Sequence, residues 1–331
     1  WPLLSQVAPV LFLLLPLNAL CVIQNTIMVR EFRFAQLSTI TFISSTISGI
    51  VAIAMALTGF GIWSLVGQRV SMMAVKAMLL WWRSAWRPNG GGQTGSLREM
   101  APYSLRLMTT DLITALYNNV AQLFIGKMYT TSTLGYYSQA QKLKDLPVTS
   151  TVQAVQGVTY PALSKIKDDA TKFAEGYLRI ERLLSFAIFP LMLGFVAIAS
   201  DMFMLLLGEK WMPTVPYFEI LALSGLFYPL AIVSYNILKT KSDGKVIVRL
   251  EIVKRLIMTA VLCYTIPQSV EAIAWGMTAM AAVEFLLNTG MAMRYMNTNF
   301  AALLRTIAPS FGIAALMFGA LYLIAPHLAS L

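Results

Sequence analysis

Ten apolar stretches, each close to the length of a membrane-spanning helix, take up most of this chain and leave little room for anything else. They run over residues 6–29, 36–58, 61–82, 102–127, 135–160, 184–206, 215–238, 250–266, 272–293 and 306–325. About 20 apolar residues in a helix cross a hydrocarbon core roughly 30 Å thick. In that core every backbone N–H and C=O must be satisfied, which a helix does within itself and an isolated strand does not. The expected fold class is therefore all-α and polytopic, with about ten transmembrane helices. Hydrophobic residues make up 57% of the chain and charged ones 12%, against about 25% charged in soluble domains, so no soluble core explains the balance.

The charges that remain are distributed unevenly. Sixteen of the 25 Lys and Arg residues fall on alternate connections: Arg30 and Arg33; Arg83, Arg87 and Arg98; Lys165, Lys167, Lys172, Arg179 and Arg182; Lys239, Lys241, Lys245 and Arg249; Arg294 and Arg305. The other connections hold two, Lys127 and Lys210. Basic loops are retained on the cytoplasmic side, so the first stretch is expected to run from outside to inside. Trp63, Trp211 and Trp275 then fall near the outer face and Trp81, Trp82 and Trp86 near the inner one, the headgroup levels that suit an apolar ring with a wet N–H. The net charge of +10 is explained by basic loops facing anionic lipid and needs no nucleic acid.

Several chemistries are disfavoured. Cys21 and Cys263 lie inside spans and show no CxxC spacing, and the single histidine, His327, cannot assemble a His-based zinc site. Gly90–Gly92 and Gly95 are followed by Ser96 rather than by the Lys-Ser/Thr of a P-loop. The outer connections are too short to hold a catalytic domain. No enzyme activity, cofactor or metal is expected.

The Gly-rich basic connection at 84–100 reads as a cytoplasmic linker between three helices and seven, and 161–183 as an amphipathic segment on the inner leaflet. Ionisable residues inside spans are costly unless they face protein or water, so they point to function. In the fourth stretch Asp111, Asn118 and Gln122 share one face. In the fifth, Ser138, Lys142, Asp145, Thr149, Gln153 and Gln156 do the same, and Lys142 and Asp145 have the spacing of an i, i+3 ion pair. In the third, Arg69 and Lys76 lie seven apart. Away from the basic loops, Arg69, Lys76, Arg106, Lys142 and Lys144 face only Asp111 and Asp145. That excess suits a cavity for an anion. Interior prolines at 16, 147, 190, 229 and 309 are places where helices bend.

Six strings carry a resemblance: LPLNALCVIQNTIMVREFRF from Leu15, GFGIWSLVGQRV from Gly59, LGYYSQAQKLKDLPV from Leu134, YPALSKIKDD from Tyr160, GEKWMPTVPYFEIL from Gly208 and YNILKTKSDGKVIVRLEIVKR from Tyr235. With them the chain resembles the lipid-linked polysaccharide flippases (Wzx type, polysaccharide transport family, colanic-acid-exporter-like branch) of the multidrug/oligosaccharidyl-lipid/polysaccharide exporter superfamily. The resemblance implies two six-helix lobes around a central cavity that opens alternately to each side. Residues 1–83 would be the last three helices of an incomplete N-terminal lobe, 84–100 the interlobe linker, 101–296 the C-terminal six-helix lobe, and 297–331 a further transmembrane helix with a short tail. About three helices would precede residue 1, an odd number, as the charge pattern requires for a cytoplasmic N-terminus. In the fourth stretch Asn118 and Ala121 stand before Ile125, Gly126 and Lys127, where the family pattern has Arg and Asp before IGR; a role for that charged pair is therefore not carried over.

The implied function is secondary transport of an undecaprenyl-diphosphate-linked oligosaccharide across the bacterial inner membrane, for lipopolysaccharide, capsule or exopolysaccharide synthesis. Arg69, Arg106, Lys142 and Lys144 are expected to hold the diphosphate, and Asp111 and Asp145 to balance them or bind a coupling cation. Asn118, Gln122, Ser138, Thr149, Gln153 and Gln156 would line the cavity. The expected partners are the lipid-linked oligosaccharide, membrane lipids and the glycan polymerase machinery. The alternatives are a cation-coupled drug or metabolite exporter on the same fold, for which an acidic cavity is expected, and a membrane assembly subunit whose polar faces only pack.

Overall fold

The computed structural model describes residues 2–87, 101, 105, 108, 112, 115–117, 119–165, 169–242, 244–296 and 298–328. The chain divides into two compact units, Trp1–Glu99 and Met100–Leu331.

In the first unit, α1 (Pro2–Phe12) and α2 (Leu14–Arg30) are one apolar stretch interrupted at Leu13. Pro16 accounts for the interruption, since it has no N–H to give to the Phe12 carbonyl four residues back. The chain turns and returns as α3 (Phe34–Leu57) and α4 (Trp63–Arg83). Between these two, Gly59 and Gly61 hold φ of +86° and +53°, where a side chain would be strained. A small core forms where Cys21 and Met28 of α2, Ile40 of α3, and Ala77 and Leu80 of α4 meet. The Trp81 indole donates to the Leu20 carbonyl at 2.9 Å, tying α4 to α2.

The second unit begins with α5, continuously helical over 119–128, then α6 (Thr131–Lys165), α7 (Ala170–Ala197), α8 (Ala199–Leu207) and a 3-10 turn, Glu209–Thr214. There follow α9 (Val215–Lys241), α10 (Gly244–Thr265), α11 (Val270–Met293) and α12 (Phe300–Leu328). α9 is central, with α6, α7 and α11 packed on it, while α12 lies along α7 and α10 along α11. One apolar cluster joins α7, α9, α11 and α12 through residues such as Ile188, Leu230, Phe285 and Leu303; the other joins α5, α6, α9 and α10 through Ile125, Tyr137, Phe218 and Leu262. Side-chain caps set the starts: Asp169 accepts from the Lys172 amide at 3.1 Å and Ser269 from the Ala272 amide at 3.0 Å. α7 and α9 run through Pro190 and Pro229 without a break in helical assignment.

The chain is a multi-pass membrane protein. Large apolar side chains such as Phe42, Ile53, Leu205, Leu256 and Leu316 point outward, where a soluble protein would pay for them in water and a bilayer does not. Among the described residues, six helical stretches are long and apolar enough to cross a membrane: Ser5–Arg30, Phe34–Leu57, Ala170–Ala197, Glu209–Lys239, Val270–Met293 and Phe300–Leu323. α4, α6 and α10 are interrupted by charged residues, which is where the search for a site begins. One expectation is corrected. Residues 161–183 are not a separate amphipathic segment, because α6 continues to Lys165 and α7 is already helical from Ala170, so most of that connection belongs to two long helices.

Candidate functional site

α6 has two faces. Tyr137, Ala140, Val148 and Val152 are buried against the core, while Lys142, Thr149 and Gln153 are exposed and Ser138 and Asp145 half-buried. The helix period separates the sets, since residues three and four apart share a side. Lys142 has no acid partner among the described residues. Asp145 pairs instead with its neighbour Lys144, at 2.7 Å, where the ammonium side chain is 15% exposed and the carboxylate 43%. The i, i+3 pairing that the spacing suggests between Lys142 and Asp145 is therefore not formed.

The remaining polar residues divide by use. Gln122 donates to the Gln141 side chain at 3.0 Å, so it joins α5 to α6. Thr149 returns its hydroxyl to the Asp145 carbonyl of its own helix at 2.7 Å. Gln156 is on α6 but its side chain is outside the described set, and Arg106, Asp111 and Asn118 lie outside the described residues. Arg69, in the first unit, is exposed on α4 and makes no ion pair among the described residues; Lys76, seven residues on, is half-buried near Cys21 of α2. The structure thus brings Ser138, Lys142, Lys144, Asp145, Thr149 and Gln153 onto one helix with Gln122 attached.

A second charged group was not singled out in the sequence. Glu251 of α10 pairs with Lys254 and, at 3.5 Å, with Arg255. The Lys254 ammonium lies 4.9 Å from the ring centre of Tyr235 on α9, and the Arg255 guanidinium 5.0 Å from that of Tyr117 on α5. Glu284 of α11 faces the same group. Cations over aromatic rings gain from the ring quadrupole, more so away from water. With Lys239 4.7 Å from the same Tyr235 ring, this group of charges and rings ties α5, α9, α10 and α11 together. Its signal was present as charges at i, i+3 and i+4, but Lys254 and Arg255 border a basic loop and read as part of it.

Comparison with known proteins agrees with this picture of a charged, membrane-embedded helical assembly. Residues 2–216 match the profile of a family described as polysaccharide biosynthesis protein. The chain belongs to that family. Relatives of the chain include the teichuronic acid biosynthesis protein TuaB of Bacillus subtilis, 24% identical over 95% of the chain and 65% of the relative. The succinoglycan biosynthesis transport protein ExoT of Rhizobium meliloti is 25% identical over 80% of the chain and 54% of the relative. The lipopolysaccharide biosynthesis protein WzxC of Escherichia coli is 26% identical over 46% and 32%. The family member studied therefore spans less than two thirds of the length of these relatives. Its fold is similar to that of the lipid II flippase MurJ in an inward closed conformation, with a TM-score of 0.58, 13% identity, and coverage of 85% of this chain and 65% of that one. Among the described residues, no three His, Cys, Asp or Glu side chains come together as a metal site.

Proposed function

We propose that this chain is part of a secondary transporter that moves an undecaprenyl-diphosphate-linked oligosaccharide from the inner to the outer leaflet of a bacterial inner membrane. The observation that carries the reading is Lys142, a cation on the polar face of α6 that no acid among the described residues neutralises. An unpaired charge at such a place is costly, and an anionic ligand or water must offset it. The family and the relatives named for succinoglycan transport and lipopolysaccharide biosynthesis support a glycan cargo, and we take the diphosphate of a lipid-linked glycan as the anion that would meet this cation. Arg69 takes the same role from the first unit, and Arg106 is proposed to join it. Lys144 is the weaker member of the set, because Asp145 already engages it. The diphosphate would be held by charge-assisted hydrogen bonds, the glycan would pass along the polar face of α6, and the prenyl chain would stay in lipid.

In this scheme residues 1–83 form part of one lobe and 101–296 the other, and α12 is an added helix. The translocated lipid-linked glycan would be handed to polymerase machinery on the outer face. The test is export of surface glycan in the host, with the native polypeptide carrying Arg69→Ala or Lys142→Ala. Both are expected to abolish export at normal membrane levels. Wild-type export by both would contradict the assignment.

A further inference from the structure

One carboxyl group in the second unit has no part in the scheme above. Glu181 of α7 is 0% exposed, and among the described residues neither of its carboxyl oxygens makes a well-formed hydrogen bond, the Tyr177 hydroxyl being the side-chain group that acts on it. It sits within the buried apolar stripe of Phe173, Tyr177, Leu184 and Ile188, at the i, i+4, i+8, i+11, i+15 positions of a single helical face. One turn before it, the Tyr177 hydroxyl is 3.0 Å from Ser234 Oγ on α9, which is itself 3.0 Å from Thr289 Oγ1 on α11. Three hydroxyls from three helices thus form a buried row that begins beside Glu181.

The charged groups of the surrounding helices are occupied elsewhere or turned away. Tyr177 is the titratable group that acts on Glu181. On α9, Lys241 lies 4.3 Å from the ring centre of Phe173 and Lys239 4.7 Å from that of Tyr235. On α6, Lys144 and Asp145 pair with each other. Glu284 of α11 faces Lys254 and Arg255, and Arg305 of α12 is exposed. Among the described residues an ionised carboxylate at this place would have no countercharge and no donor beyond the Tyr177 hydroxyl, and would cost several kcal/mol, whereas the acid with its proton bound leaves only an imperfectly satisfied dipole. Ionisable groups buried in membrane proteins recur as members of proton relays.

Resting on the transporter reading, we propose that Glu181 is a proton-binding group whose loading and unloading is linked to translocation, with the Tyr177 hydroxyl, held by Ser234 and Thr289, as its neighbour. Loading forms one O–H bond on the carboxyl with a proton drawn from water. Unloading breaks that bond and returns the proton to water. Asp145, already neutralised by Lys144, does not need this proton.

The test uses the native polypeptide in liposomes of bacterial phospholipid, with a fluorescent prenyl-diphosphate monosaccharide as probe. Infrared spectra of the same samples report on protonated carboxyl. An imposed pH gradient is expected to accelerate wild-type probe movement. Glu181→Gln is expected to keep slow movement, to lose the acceleration, and to lose a protonated-carboxyl C=O band that wild type shows; Glu181→Asp is expected to restore both. Acceleration surviving in Glu181→Gln, acceleration by a sodium gradient in place of the pH gradient, or identical carboxyl bands in the two proteins would overturn the proposal. If wild type moves no probe under any gradient, the transporter reading fails, and the band difference alone then decides whether Glu181 holds a proton. If the Gln variant does not fold, the wild-type band must shift in heavy water and move with Glu181→Asp; a band that does neither overturns the proposal.

Discussion

Truncating Lys142 and Lys144 separately, and each together with Asp145, distinguishes a cation that awaits a ligand from one that holds the fold. Lys144 is 2.7 Å from Asp145, its side chain 15% exposed and that of Asp145 43%. Exposed ion pairs contribute about 0.2–1 kcal/mol, and breaking a buried pair costs about 3–5 kcal/mol. Here the ammonium is shielded but the carboxylate remains within reach of solvent, so Lys144→Ala should cost about 1–2 kcal/mol, between those limits. Lys142 is exposed and has no ion-pair partner among the described residues, so Lys142→Ala should change stability by less than about 0.5 kcal/mol. A double-mutant cycle measured by denaturation in mixed micelles should give about 0.5–1 kcal/mol of coupling for Lys144 with Asp145, and a value within about 0.5 kcal/mol of zero for Lys142 with Asp145. Export should follow the opposite order, with the thermodynamically silent Lys142→Ala the more damaging. Coupling of Lys142 to Asp145 as strong as that of Lys144 would refute the reasoning, because Lys142 would then be a structural ion-pair member.

Gly225 of α9 lies where an added Cβ would meet Met192 Sδ at 2.8 Å and Val148 Cγ2 at 3.0 Å; Gly225→Leu should therefore cost at least about 1–3 kcal/mol by overpacking the junction of α6, α7 and α9, seen as lost expression or a lowered detergent melting point. At the α7 start, the Lys172 amide and ammonium hold the Asp169 carboxyl below its usual range; a lowered folded value means that its stabilisation is present above the ordinary carboxylate value and is lost as pH falls through the lowered one. Asp169→Ala should accordingly speed amide exchange over 170–173 at neutral pH and make no difference in strong acid. For topology, in a background lacking Cys21 and Cys263, cysteines at Arg87 and Lys245 should be shielded from an impermeant thiol reagent in intact cells while one at Lys210 should label; the reverse pattern would invert the orientation.

Helix positions were legible in the sequence because length and apolarity are what the bilayer demands, and all ten stretches carry helix. Helix ends were not. Hydropathy reports where a segment leaves the membrane, whereas α6 and α7 continue as helix into the polar region, capped by Asp169 rather than by a change of composition. The break at Leu13 was foreshadowed by Pro16, but that a proline would interrupt α2 while Pro190 and Pro229 leave their helices continuous depends on packing. The polar side of α6 was readable from its period. The partner of Asp145 was not, because neighbours on a helix ordinarily diverge and Lys144 bends its long side chain back. Glu181 was readable in principle, as an acid in register with the Phe173, Tyr177 and Ile188 stripe. Its proximity to Arg179 and Arg182 made it look like part of a loop.

Deletion of the gene for the native polypeptide tests the transporter reading most directly, with the lipid-linked oligosaccharide pool and the surface glycan measured together. A flippase predicts that undecaprenyl-diphosphate-linked oligosaccharide accumulates on the cytoplasmic leaflet while surface glycan is lost, and that the wild-type gene reverses both where Lys142→Ala does not. Normal surface glycan with no accumulated intermediate would contradict it.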